Sequence, residues 1–362
     1  MNDNSLLLFV SSYGSADEEC IRLYAFDPET GESQYVSGLS GISNPSFLCF
    51  GPDGKHLYAV GEDDGETASA NTLLFNDNLR TLELISSQPT LGGAPCNICV
   101  SPDQREVITS NYVGGSISVF PILDDQSLSE CQTIRFEGHG PNAERQEQAH
   151  LHAVNFTPDG QYMLANDLGT DRIHLFPITK GESVISQPGI DFQLPAGAGP
   201  RHLCFSPTGQ HAFLLSELSG EIFVLAYDAA SSTIDDSMPH SHQPATTPLR
   251  IIQTLKADTL DAGGSADIHC SPDGRFLYAS HRLQGDGISI YSIAPDANLT
   301  RIGYQPTGKH PRNFTLSPDG RFLLVVCRDS HVVQVFSRDA DSGLLTDTGH
   351  DITQDKPVCV LF

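Results

Sequence analysis

A turn of the form Pro-Asp-Gly recurs along the chain and constrains the fold more than any other feature. It stands at Pro52-Asp53-Gly54, Pro102-Asp103-Gln104, Pro158-Asp159-Gly160, Pro207-Thr208-Gly209, Pro272-Asp273-Gly274 and Pro318-Asp319-Gly320. Successive copies lie 46 to 65 residues apart. A short apolar stretch leads into each turn and another leaves it, as Phe47-Leu-Cys-Phe50 and His56-Leu-Tyr-Ala-Val60 do around the first. Pro and Gly at these places preset a tight reversal, so each unit opens as a hairpin. A third alternating stretch follows, such as Ser116-Ile-Ser-Val-Phe120 or Val332-Val-Gln-Val-Phe336, and a weaker fourth precedes the next copy. Four strands in about 50 residues is the unit of a β-propeller blade.

The segments outside the repeats set the blade count. Leu6-Leu-Leu-Phe-Val10 matches the stretch that follows a turn, and Pro357-Val-Cys-Val-Leu-Phe362 matches the stretch that precedes one. The C-terminal segment is therefore expected to form the innermost strand of a blade whose other three strands come from the N-terminus. This predicts an all-β fold, a single seven-bladed propeller domain over residues 1–362 with four antiparallel strands per blade, at about 52 residues per blade. The chain has no Trp, which excludes the WD-type propeller. A two-sheet sandwich has no reason to repeat one turn six times.

Hydrophobic residues make up 39% of the chain and charged residues 18%, enough for a substantial core and incompatible with disorder. The formal net charge of −25 repels phosphate backbones and anionic membrane surfaces, so neither a nucleic acid nor a membrane is an expected partner. An anionic small molecule remains compatible with it, provided a few Arg and His reverse the sign inside one pocket. No apolar run approaches the roughly 18 residues of a spanning helix. The start of the chain, Met-Asn-Asp-Asn-Ser, lacks the basic region and cleavage site of a secretory signal. The nine cysteines are scattered, six of them in apolar stretches, which fits a reducing cytoplasm. The Cys96-Asn-Ile-Cys99 spacing has no second pair to complete a zinc site, so no metal and no other cofactor is expected. A closed ring has no sheet edge that demands a partner, and a monomer is expected.

Strand order then sorts the polar residues. If the Pro-Asp-Gly turns join the first and second strands, they all lie at one end of the ring. The segments before the first strand and after the second then gather at the other end, around the mouth of the central channel. Those segments contain His150, His152, Arg201, His202, Asp267, His269, Arg312 and Asn313, and also Tyr13, Glu62, Asn111, Tyr112, Asp167, Glu217 and Arg282. A single polar residue there serves to cap a strand or hold buried water. Three arginines with Glu217 and several histidines are different, because packed cations repel one another unless an anion offsets them. His174 and His331 fall on or beside outer strands and are read as structural or exposed. His240 and His242 belong to a polar insertion behind the 65-residue spacing, read as a surface loop.

An ordered series of short motifs then carries a resemblance over the whole chain. It comprises Gly140-Pro-Asn with Arg145-Gln-Glu147 before His150-Leu-His152, Asp167-Leu-Gly-Thr-Asp-Arg172, Gly197-Ala-Gly-Pro-Arg-His202, Ser216-Glu-Leu218, Asp267-Ile-His269, Leu277-Tyr-Ala-Ser-His-Arg282 and His310-Pro-Arg-Asn-Phe314. The sequence resembles the seven-bladed propeller lactonases of the 6-phosphogluconolactonase type, a family that also includes the fungal carboxymuconate-lactonizing cycloisomerases. The resemblance implies a catalytic cluster of His152, Arg201, Glu217 and Arg282. One departure is visible: Ser280-His281-Arg282 stands where relatives commonly show Ser-Asn-Arg.

The expected reaction is hydrolysis of a sugar lactone, foremost 6-phospho-glucono-1,5-lactone. Glu217 or His152 would be the general base and Arg201 the stabiliser of the oxyanion or carboxylate. Arg282 and Arg312, with His150 and Arg145, would grip the phosphate or carboxylate. Asn111, Tyr112, Asp167, His202, Asp267, His269 and Asn313 would complete the substrate-binding set. Two alternatives use the same face. One is cycloisomerisation of a carboxylated muconate; the other is a non-enzymatic propeller that binds small acids or a protein, in which His152 and Glu217 would lie too far apart to touch one small molecule.

Overall fold

The structure, a computed structural model, describes residues 5–231 and 247–362. His240 and His242 fall outside the described residues. Five of the six turns close their hairpins by the same chemistry, a turn Asp accepting backbone N–H groups, and at Thr208 the Ser206 Oγ takes the His211 N–H instead. Asp53 Oδ1 accepts the N–H groups of Lys55 and His56, both at 2.9 Å. Where a Ser precedes the Pro, as at Ser271, its Oγ donates to Asp273 and accepts the Phe276 N–H at 3.0 Å. The third turn residue is left-handed throughout, with φ from 61° to 73° at Gly54, Gln104, Gly160, Gly209, Gly274 and Gly320.

Six antiparallel sheets follow in chain order and are numbered here as blades 2 to 7, spanning residues 48–89, 95–135, 151–193, 200–256, 265–306 and 311–353. Blade 1 is composite. Leu6–Ser12, Ile21–Phe26 and Ser33–Leu39 supply three strands, and Pro357–Leu361 pairs with Leu6–Ser12 as the innermost fourth. Blade 7 departs slightly from the four-strand plan. Its outer edge is split into Leu345–Asp347 and Ile352–Thr353, both paired with Val332–Arg338. Thr348 Oγ1 donates to the Val335 carbonyl at 2.6 Å and Gly349 takes φ 71°, so the strand breaks at this point and then resumes.

The core lies between the blades, not within them. Leu164, Ile173 and Leu175 of blade 4 pack on Leu203, Leu214 and Phe223 of blade 5. Leu324, Val326 and Val333 of blade 7 pack in the same way on Leu8, Val10 and Phe26 of blade 1. Each contact is a face-to-face packing of two twisted sheets, repeated until the ring closes. Side chains of the innermost strands also stitch neighbouring blades together. Asn97 Oδ1 accepts the Val154 N–H at 3.0 Å, and Asn313 Oδ1 accepts the Val360 N–H at 2.9 Å across the closure.

Candidate active site

Two backbone devices, repeated around the ring, aim side chains at the channel mouth opposite the Pro-Asp-Gly turns. In the first, the residue just after each second strand donates its N–H to the carbonyl of the residue two before the bulge position of the innermost strand. The pairs are Tyr13 to Lys356, Glu62 to Asn44, Tyr112 to Ala94, Leu168 to His150, Glu217 to Gly199, Arg282 to Gly264 and Arg328 to His310, at 2.8 to 3.1 Å. The accepting residue is left-handed at Lys356, Asn44, Ala94, Gly199 and His310, which turns the chain sharply into the strand. At Gly199 a side chain is excluded twice, by φ 65° and by Leu218, whose Cγ lies 2.5 Å from where a Cβ would sit.

The second device is a β-bulge at the head of the innermost strand in six blades. Val358, Cys96, His152, Arg201 and Arg312 are each the extra residue of their pairing, and in blade 6 Ala266 and Asp267 together face Ser280. A bulge releases one side chain from strict in–out alternation and re-aims it. The bulges supply His152, Arg201 and Arg312. The strand ends supply Tyr13, Glu62, Tyr112, Glu217 and Arg282.

Glu217 is the hub. Its Oε2 accepts from Arg201 Nε at 2.9 Å and lies 3.1 Å from Arg282 Nη2, and its Oε1 accepts from Arg145 Nη2 at 2.7 Å. His152 Nε2 is 3.9 Å from the same Oε2. Arg145 comes from the loop between blades 3 and 4. Its neighbour Gln146 anchors that loop, donating to the Leu168 carbonyl at 2.9 Å and to Asp171 Oδ1 at 2.7 Å. Arg145 also donates to the Tyr112 hydroxyl at 3.3 Å. On the far side, Arg312 lies over the Tyr13 ring and 3.3 Å from Glu62, which also accepts the Tyr13 hydroxyl at 2.9 Å.

Four guanidinium groups thus face two carboxylates, so this small region of a strongly acidic protein carries a surplus of two positive charges. Burial pushes the Glu217 carboxyl up, and Arg282, Arg201 and Arg145 more than reverse this, bringing it to about 2. Its negative charge is fixed at neutral pH, and its lone pairs are committed to guanidinium groups. His152 is held well below the ordinary imidazole value, by burial first and by the field of Arg201 and its cationic neighbours second, so it is neutral. The same cations weaken both groups as bases, but the oxygens of Glu217 are taken by three arginines, whereas the neutral imidazole of His152 has a lone pair to offer.

The other expected site residues separate into groups. Tyr112 reaches the cluster, but His150 supports it from behind: its ring stacks on Tyr112 at 4.4 Å, with Nδ1 at 2.9 Å from the Tyr112 carbonyl and Nε2 at 3.3 Å from Glu147. Asn111 and Asp167 turn into their blades. Asn111 donates to Ser116 and Ser118 at 3.0 and 2.8 Å, and Asp167 accepts from the His150 N–H, Thr170 and His174. Neighbouring residues in a strand point to opposite sides, so where Tyr112 faces the mouth, Asn111 cannot. His202, Asp267, His269 and Asn313 form a second layer inside the channel. Asp267 binds His202 Nδ1 at 2.7 Å, His269 Nε2 at 3.0 Å and Asn313 Nδ2 at 2.5 Å. Asp267 and His269 were expected at the mouth, but the segment at the mouth in blade 6 is Gly264-Ser265-Ala266, which lacks the Pro that marks it in blades 3, 5 and 7. His174 sits buried between Asp167 and Asp191. Sequence reasoning placed Glu62 and Tyr13 at this end of the ring but gave them no role, and it left Gln146 out of the site. Glu62 and Tyr13 do stand at the same post-strand position as Glu217 and Arg282, and that equivalence is the signal that finds them.

Comparison with known proteins agrees with this geometry. Residues 7–362 match the family described as lactonase, 7-bladed beta-propeller. A 6-phosphogluconolactonase of Formosa agariphila is 33% identical over 90% of each chain, and one of Bacillus subtilis is 28% identical over 98% of this chain and 97% of its own. Among solved structures, a candidate 6-phosphogluconolactonase of Bacteroides fragilis superposes with a TM-score of 0.90 at 41% identity, covering 100% of this chain and 98% of its own. A periplasmic gluconolactonase of Pseudomonas aeruginosa gives 0.85 at 30% identity, over 98% of each chain. With the repeat, the composite blade and the arginine-ringed glutamate all in place, the chain belongs to the seven-bladed β-propeller lactonase family.

Proposed function

We propose that this protein hydrolyses 6-phospho-glucono-1,5-lactone to 6-phosphogluconate. The observation that carries the proposal is the convergence of three guanidinium groups and a neutral imidazole on Glu217, within 2.7 to 3.9 Å, in a mouth with surplus positive charge. That distance counts against a purely binding propeller, for which His152 and Glu217 were expected to lie too far apart to touch one small molecule. The names of the relatives support the same substrate class.

The proposed chemistry needs a base, an oxyanion stabiliser and a grip on the charged tail. His152 Nε2 takes a proton from water as the water oxygen bonds to the lactone carbonyl carbon. The fixed carboxylate of Glu217, 3.9 Å from the same nitrogen, stabilises the imidazolium that forms by its charge. Arg201 and Arg282 keep N–H groups beyond those that hold Glu217, and these face the oxyanion of the tetrahedral intermediate. When that intermediate collapses, the bond from the carbonyl carbon to the ring oxygen breaks and His152 returns its proton to the leaving oxygen. Arg145, the most exposed of the four arginines, and Arg312 receive the phosphate.

All nine cysteines are free thiols, which supports a reducing cytoplasm as the place of action. Proton release from freshly generated 6-phosphogluconolactone tests the reading, with unphosphorylated gluconolactone as control. Acceleration confined to the phosphorylated lactone is the expected result. No acceleration with either lactone, and turnover of a muconolactone instead, would move the protein to the cycloisomerase chemistry.

A further inference from the structure

His281 has no part in the chemistry above, yet it is only 2% exposed and stands directly before Arg282. Its Nδ1 lies 2.9 Å from the hydroxyl of Ser265, which is fully buried and makes no other hydrogen bond among the described residues. Its Nε2 is buried with no hydrogen-bond partner among the described residues. Ser265 is the middle residue of the segment Gly264-Ser265-Ala266 that leads into the bulge of blade 6. The carbonyls on either side of it hold two of the four arginines, Arg282 and Arg201. Gly264 accepts from Arg282 through its N–H at 3.1 Å and its Nε at 2.9 Å, and Ala266 accepts from Arg201 Nη1. Ser280, the residue before His281, fixes the other end of the bulge by accepting the Asp267 N–H at 3.0 Å.

We propose that His281 is a positioning residue for the reaction: through Ser265 it holds the Gly264–Ala266 segment whose two carbonyls orient Arg282 and Arg201 against Glu217. The segment needs such a tie. A bulge leaves its residues without a full complement of ladder bonds, and its side chains must therefore pin it from outside. Gly264 also approaches closely, since a Cβ there would lie 2.7 Å from Leu283 Cγ and 2.9 Å from the Arg282 carbonyl oxygen. A small shift of this backbone therefore moves two guanidinium groups together. Asp167 acts in a parallel way in blade 4, where it holds the His150 N–H two residues before His152. His281 is its counterpart, one strand end and two blades away.

The inference rests on the lactonase reading only for its kinetic readout, so the test has two arms. In the first, lactone hydrolysis is measured for His281→Ala, Ser265→Ala and His281→Asn, with the fold checked by circular dichroism. Asn is chosen because Asn111 occupies the same strand-end position in blade 3. His281→Ala and Ser265→Ala are each expected to lower kcat/KM by about 10- to 100-fold, as an ångström-scale misplacement does. His281→Asn is expected to restore most of it, and His281→Ala should cost clearly less in an Arg282→Ala background than in the wild type, the remainder acting through Arg201. In the second arm, selective ¹⁵Nε labelling of arginine follows the Arg282 Nε–H by NMR without any turnover. That signal is expected to exchange slowly in the wild type and in His281→Asn, and rapidly in His281→Ala. Losses that add fully with Arg282→Ala, or a slowly exchanging Nε–H in His281→Ala, would overturn the proposal. A wild type that turns over no lactone would sink the functional reading alone, and the NMR arm would still decide this one.

Discussion

Glu217 carries a single negative charge among three guanidinium groups, and its neutral isostere isolates what that charge does. Glu217→Gln leaves the shape and raises the local positive surplus by one. Loss of the partner for the imidazolium should lower kcat by about 10²- to 10³-fold. The same change should tighten binding of the product 6-phosphogluconate, measured by titration calorimetry, because three arginines are freed for an anion. Leaving buried guanidinium groups unpaired should also cost about 3 kcal/mol of stability. A variant that lost rate and product affinity together would point instead to direct substrate contact by the carboxylate. Glu217, Arg201, Arg282 and His152 were legible in the sequence because strand order alone brings them to one face. Asn111 and Asp167 were not, because the reading took whole strand-end segments where the structure distinguishes one residue from the next. Glu62 was placed on that face but given no role, because its partner Arg312 lies 250 residues away and only ring closure joins them.

At the scale of the element, the repeated turn gives an internal control. Five of the six turns place Gly at the left-handed third position, and the sixth places Gln104 there at φ 61°. A non-glycine residue pays a steric cost of about 1 to 2 kcal/mol in that conformation, partly offset by the entropy a glycine loses on folding. Gln104→Gly should therefore stabilise the protein by about 0.5 to 1 kcal/mol, read as a rise in the midpoint of chemical denaturation with an unchanged slope. No gain would mean that the Gln104 side chain makes contacts worth as much as the strain. The turns made the blades legible because they depend on backbone geometry, which sequence reports directly. The bulges were not legible, since one extra residue opposite a partner strand leaves no mark in either strand by itself. That is why the mouth segment of blade 6 was read three residues too far along.

At the scale of the whole molecule, the buried histidines set the response to acid. Burial is the leading cause that brings His202 and His281 down to about 4, and it likewise depresses His152 and His310. Such a group stays neutral in the folded protein and takes up a proton in the unfolded chain at about 6.5, so the unfolded state binds more protons between these values. Stability must then fall as pH falls from 6.5 towards 4, by roughly 2 kcal/mol per histidine between pH 7 and pH 5. His174 and His269, whose values Asp167 and Asp267 raise against the effect of burial, oppose part of this. Urea titrations at pH 7 and pH 5 should show a net loss of several kcal/mol, a large share of the 5 to 15 kcal/mol of an ordinary domain. A stability that held level over that range would mean that these rings take up protons in the native state or that His174 and His269 offset them, which NMR titration of each ring separates.

The composite blade also has a consequence for synthesis on the ribosome. Leu6–Ser12 emerges about 350 residues ahead of its inner neighbour Pro357–Leu361. At 5 to 20 residues per second, roughly 20 to 70 seconds separate the two. Throughout that interval the strand carries an open hydrogen-bonding edge, so the nascent chain is most exposed to strand capture by its own copies on the same messenger, and slow translation lengthens the hazard.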